Sequence, residues 1–128
     1  MATTVLIIDD DPDFIASTSE ILEAQEYQVI SSPSGTEGFE KAKQIKPDVI
    51  LLDVMMEDAG TGLDIAKKLR DDQDTADIPV LIMTGIRRAN QLLSSYAPGE
   101  EWPNVKSALE KPVAPELLFK TLKKAIGE

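Results

Sequence analysis

Asp9, Asp10, Asp11 and Asp13 crowd together directly behind the apolar run Val5-Leu6-Ile7-Ile8. Asp53 closes a second run, Val49-Ile50-Leu51-Leu52, and Thr84 closes a third, Val80-Leu81-Ile82-Met83. Lys111 follows Glu110 behind the weaker run Val105-Lys106-Ser107-Ala108-Leu109. Two carboxylates about 4 Å apart repel by about 4 kcal/mol at an effective dielectric near 20, so a cluster must protonate or bind a cation. Oxygen donors without histidine or cysteine point to a hard ion, Mg²⁺ first, which keeps some waters and leaves room for a phosphate oxygen. A carboxylate beside such an ion can attack phosphorus and become an aspartyl phosphate. That transfer needs positioning and charge neutralisation more than proton chemistry. Mg²⁺ could hold one phosphoryl oxygen, Lys111 a second, and the Thr84 hydroxyl with a backbone amide the third. The chain has no histidine, which excludes a His-dependent hydrolase or a phosphohistidine carrier.

These groups can meet only if the four runs are neighbouring strands. Continuous β-branched runs without polar alternation read as strands of a parallel sheet buried on both faces. Between them lie helical patterns. Pro12 suits a first helical turn with Asp11 as N-cap, a role favoured over metal ligation. Phe14, Thr18, Ile21 and Leu22 then give a buried stripe to about Gln25. Tyr27–Ile30 reads as the second strand and Ser31–Ser34 as a turn. Thr36–Ile45 forms a helix with Phe39, Ala42 and Ile45 facing in. Leu63–Arg70 forms another, with Leu63, Ala66 and Leu69 on one side. Arg88–Tyr96 is the fourth helix, and a last one starts at Pro115 with Leu118, Leu122 and Ala125 facing in. Five strands alternating with five helices predict an α/β three-layer sandwich with a five-stranded parallel sheet, order 2-1-3-4-5. In such sheets ligands bind outside the carboxyl ends of the strands where the order reverses. Asp9, Asp10 and Asp53 would meet there, flanked by Thr84 and Lys111.

At 128 residues, residues 1–128 are expected to form a single domain. The net charge of −10 argues against direct nucleic-acid binding, which needs a basic footprint. There is no cysteine, hence no disulfide or thiolate metal site. The start carries no signal-peptide pattern and no run long enough to span a membrane, so a cytoplasmic protein without membrane contact is expected.

Taken together, Ile8-Asp9-Asp10-Asp11-Pro12, Leu52-Asp53-Val54-Met55-Met56, Met83-Thr84-Gly85 and Glu110-Lys111-Pro112 resemble the motifs of the receiver domain of two-component response regulators, a flavodoxin-like, CheY-like fold. The motifs cover essentially the whole chain in order. The resemblance implies that Asp53 is the phosphoacceptor and that Asp9, Asp10, Asp53 and the backbone carbonyl of Met55 hold Mg²⁺. It implies Thr84 as the switch hydroxyl, Lys111 as the phosphate-binding lysine, and a cis Lys111-Pro112 bond. A sensor histidine kinase or phosphotransfer protein would be the donor, and an unidentified downstream protein would read the fourth helix, fifth strand and last helix. A weak homodimer stays open. Such a domain is a signalling phosphoacceptor rather than an enzyme, catalysing only its own phosphorylation and dephosphorylation.

The chain departs from that pattern in three places. Glu57 stands where the family commonly has proline, and Asp58–Gly62 runs one residue longer. Met55 and Ile86 are apolar where they would hinder an attacking water, so self-dephosphorylation is expected not to be especially fast. Ala108 replaces the usual aromatic switch residue, while the segment between Thr84 and Lys111 is long and holds Trp102. Trp102 either packs on the domain's own flank, the favoured reading, or anchors a partner. Two rival chemistries fit less well. A haloacid-dehalogenase-like phosphatase would use Asp9, Asp11, Thr84 and Lys111 but leave Asp53 idle. A calcium loop would use Asp9, Asp11, Asp13 and Glu20, yet Phe14 occupies its glycine position and Pro12 sits inside it. An interaction module that is never phosphorylated has no need of the intact acceptor set.

Overall fold

The structure is a computed structural model that describes residues 3–53, 61–84, 104–111 and 113–127. Its elements are β1(Thr4–Ile8), α1(Pro12–Ala24), β2(Gln28–Ser32), α2(Gly35–Ile45), β3(Val49–Asp53), α3(Thr61–Asp71), β4(Val80–Thr84), β5(Val105–Glu110) and α4(Pro115–Ala125). The helix expected over Arg88–Tyr96 lies outside the described residues. So do Met55, Ile86, Trp102 and Pro112.

All five strands pair in parallel in the order β2-β1-β3-β4-β5, so the expected topology is the observed one. Register sets the alternation of faces. Leu6, Ile8, Ile50, Leu52 and Ile82 point to a cluster with Ala42 of α2 and Ile65, Ala66 and Leu69 of α3. Val5, Ile7, Val49, Leu51, Leu81 and Met83 point the other way, to Leu22 of α1 and to Leu118 and Leu122 of α4. Both faces of the central strands are therefore covered, which is why their sequences show no polar alternation.

Two local expectations fail for tertiary reasons. β2 runs on through Ser31 and Ser32, because these pair with Ile7 and Ile8 of β1 and extend the ladder beyond the apolar residues. Ser32 is fully buried and donates its hydroxyl to Ser34 O at 3.1 Å. Ile45, expected inside, is 41% exposed. It closes the last turn of α2, where Lys46 takes a left-handed cap (φ 52°) and turns the chain toward β3.

One glycine matters for the site. A Cβ at Gly38 would lie 2.6 Å from Ile8 Cδ1, so the missing side chain lets α2 settle on β1 immediately before Asp9.

Candidate functional site

Each site residue owes its place to a strand end. The Asp9 amide donates to Ser32 O at 3.0 Å, a bond that carries the β1–β2 ladder one step past Ile8. The chain then turns into α1. Asp11 is the N-cap, its Oδ1 accepting from the amides of Asp13 and Phe14, and Pro12 opens the helix. Asp11 is thus committed to the helix, as its sequence position indicates. Its own amide donates to Asp9 Oδ1 at 2.9 Å, which fixes the Asp9 carboxylate.

Asp53 ends β3 in register with Met83, and β1 and β3 are direct neighbours. Carboxylate oxygens of Asp9, Asp10 and Asp53 accordingly lie within 4.8 Å of one another. Asp9 is fully buried and Asp53 only 5% exposed. β4 and β5 are adjacent, with Thr84 opposite Glu110, which brings Lys111 to the same edge. The Thr84 side chain is outside the described residues, as are Met55 and its carbonyl.

Lys111 supplies the positive charge. Its Nζ lies 2.6 Å from Asp9 Oδ2 and 3.4 Å from Asp53 Oδ2, bridging the two carboxylates. The same ammonium stands 4.1 Å from the centroid of the Phe14 ring. The Asp9 carboxyl is pushed above its ordinary range, first by burial and further by the negative charge of Asp53. Hydrogen bonds from Lys111 and from the Asp11 amide pull the other way without winning. Among the described residues, Lys111 is thus shared between Asp9 and Asp53 in a cluster of three acids. Three convergent carboxylates with only oxygen donors suit a hard divalent cation.

Sequence reasoning missed one participant. Phe14 reads as a residue of the α1 stripe, and it does pack against the core cluster on that face. Its ring over Lys111 depends on a contact across the whole chain that helical periodicity cannot register. The only available signal was its place in the first helical turn after the acidic run. Ala108 pairs with Ile82 in the β4–β5 ladder and packs, partly buried, on the α2/α3 face.

A carboxylate cluster with a lysine at the switch point of a parallel five-stranded sheet is an α/β site with the donors to hold a cation and a phosphate oxygen. The comparisons give the class its name. The model of the response regulator receiver domain family matches residues 5–123. Protein PilH of Pseudomonas aeruginosa is 32% identical over 118 residues, covering 92% of this chain and 93% of PilH. The polar-differentiation response regulator DivK of Brucella ovis is 27% identical over 128 residues, covering 99% of DivK. The DNA-binding regulator RpaA of Synechocystis is 36% identical over 97 residues, but the match spans only 40% of its length. Among solved structures, chemotaxis protein CheY4 of Vibrio cholerae superposes with a TM-score of 0.83 at 28% identity, covering 98% of this chain and 99% of CheY4. The chain belongs to the receiver domains of two-component response regulators. No helix among the described residues is long and apolar enough to cross a membrane.

Proposed function

We propose that Asp53 is the phosphoacceptor of this domain and that Asp9, Asp10 and Asp53, with the Met55 carbonyl, hold Mg²⁺. The observation that carries this reading is the three-carboxylate cluster at the sheet's switch point, two of whose members Lys111 bridges. An Asp53 oxygen attacks phosphorus while the bond from phosphorus to the donor's leaving group breaks, so no proton need be removed from the nucleophile. The cation supplies neutralisation of the carboxylates and of the phosphoryl oxygens. Lys111 moves from its carboxylate partners to a phosphoryl oxygen, and the Thr84 hydroxyl binds another.

Residues 1–128 act as one receiver unit in the cytoplasm. The donor is a sensor histidine kinase or phosphotransfer protein, and the domain catalyses only its own phosphorylation and dephosphorylation. Phosphorylation adds a charge of about −1.5 to −2. It biases the surface formed by the predicted 88–96 helix, β5 and α4 toward a downstream partner or a weak homodimer. Ala108 leaves that readout without the family's aromatic switch, and with apolar Met55 and Ile86 at the two positions expected to guide an attacking water, phosphoryl-Asp53 does not decay especially fast.

The test is incubation with acetyl phosphate and Mg²⁺, comparing wild type with Asp53→Asn by intact mass. A single phosphoryl adduct on wild type and none on the variant is the expected result. An adduct that survives the substitution overturns the assignment. No adduct on either protein favours a receiver-like module that is never phosphorylated.

A further inference from the structure

An ammonium carries three N–H donors, and the surroundings of Lys111 account for three directions. Two lead to carboxylates, Asp9 Oδ2 at 2.6 Å and Asp53 Oδ2 at 3.4 Å. The third side faces the Phe14 ring, whose centroid lies 4.1 Å from Nζ. The loop that carries Asp9 and Asp10 also fixes this ring. Asp11 caps the helix by accepting from the Phe14 amide, and Pro12 sets the first turn. Below the ring, the side chain packs partly buried against the α1/α4 core cluster, so it has little freedom to leave.

The two kinds of partner respond differently once the site is loaded. When a divalent cation engages Asp9 and Asp53, their negative charge is neutralised and their hold on the lysine weakens. A lysine on a flexible four-carbon stem then swings readily into water. The attraction of an ammonium to an aromatic face does not depend on those carboxylates. We propose that Phe14 is a positioning residue for Lys111: its ring seats the ammonium beside the acidic cluster while the carboxylates are occupied, keeping it aimed at the incoming phosphoryl oxygens. This inference rests on the phosphoacceptor reading given above.

If Phe14 were only a core residue, an aliphatic side chain of similar bulk would replace it without cost to Lys111. The seat instead requires a ring. Phe14→Leu and Phe14→Tyr separate the two, because both keep the packing and only Tyr keeps the aromatic face. The first readout is the proton NMR shift of the Lys111 ε-methylene, which a ring face moves upfield, measured without and with saturating Mg²⁺. The second is the rate of Asp53 phosphorylation at subsaturating acetyl phosphate, with Lys111→Ala as the reference for complete loss.

The upfield shift is expected in wild type and Phe14→Tyr under both conditions, and absent in Phe14→Leu. Phosphorylation of Phe14→Leu is expected to fall by about three- to tenfold, the range a partly desolvated cation–π contact supports, with Tyr restoring it. A Phe14→Leu protein as fast as wild type, beside an impaired Lys111→Ala, overturns the seat and leaves the phosphoacceptor reading standing. Loss of the upfield shift on adding Mg²⁺ to wild type overturns it as well. A wild type that takes no phosphoryl group sinks the phosphoacceptor reading and the seat's catalytic role with it.

Discussion

The two ends of the sheet are furnished with similar residue types and put them to opposite use. At the amino ends of the strands, polar side chains hydrogen-bond to backbone groups. Asp48 Oδ2 accepts from the Thr4 amide at 2.8 Å. Fully buried Thr75 donates its hydroxyl to Leu69 O at 2.7 Å, in the last turn of α3. Asn104 Nδ2, just ahead of β5, donates to Ala66 O of α3 at 3.3 Å. At the carboxyl ends the polar residues meet one another instead. Asp9 and Asp53 share one lysine, and Asp9 is held partly against ionisation by its own burial. One end spends polar groups on the backbone, whereas the other gathers carboxylates whose charge a cation can relieve.

The largest effect that would sharpen this contrast is expected from Lys111→Ala. Removing the ammonium that lies against Asp9 and Asp53 should slow phosphorylation of Asp53 by about a hundredfold or more, read by intact mass over time. The same change takes the Lys111 ammonium away from two buried carboxylates. Added Mg²⁺ should therefore raise the melting temperature of Lys111→Ala more than that of wild type. Equal rates in variant and wild type would erase the distinction between the two ends.

Thr75→Val tests the amino end. It should cost about 1–3 kcal/mol in urea unfolding, because the Leu69 carbonyl loses its buried donor. Acetyl phosphate should still label Asp53 at the wild-type rate. A large loss of labelling in the folded variant would show that the two ends are coupled.

Asp9→Asn should move stability the opposite way. A carboxyl whose folded pKa is raised contributes stability that is complete below its ordinary value of 3.8 and is lost as pH rises through the raised value. At neutral pH the buried charge is a net cost, so the metal-free Asn variant should melt higher than wild type. The gap should close on acidification, while calorimetry at pH 7 finds weakened Mg²⁺ binding. A variant less stable than wild type at pH 7 would mean that the Lys111 pairing outweighs the burial.

The smallest effect belongs to Lys46, which occupies positive φ at the end of α2. Lys46→Gly should stabilise the fold by about 0.5–1 kcal/mol and leave phosphorylation unchanged. Its ion pair with Asp74 spans 4.0 Å between exposed side chains and offers little to lose.

Much of this was legible in the sequence because it rests on local signals. Buried strands announce themselves as apolar runs, and the Asp11-Pro12 pair marks a helix start through capping geometry alone. Asp9, Asp10, Asp53 and Lys111 could be placed at one edge because each immediately follows such a run. The misreadings are equally physical. Ser31 and Ser32 look like turn residues but are held in a strand by their neighbours on β1. Ile45 looks like a core residue but falls at a helix end that leaves it 41% exposed.

By itself, then, the sequence determined the order of the elements, their periodicity and the chemistry standing at each strand end, since all three depend on residues near one another in the chain. Only the tertiary structure decided how those groups share charge. Lys111 reaches Asp9 across 102 positions, and neither that bond nor the burial of Asp9 is encoded in any local pattern. The seat on Phe14 belongs to the same class, because packing α1 on the sheet whose strand β5 leads into Lys111 is what brings ring and ammonium together.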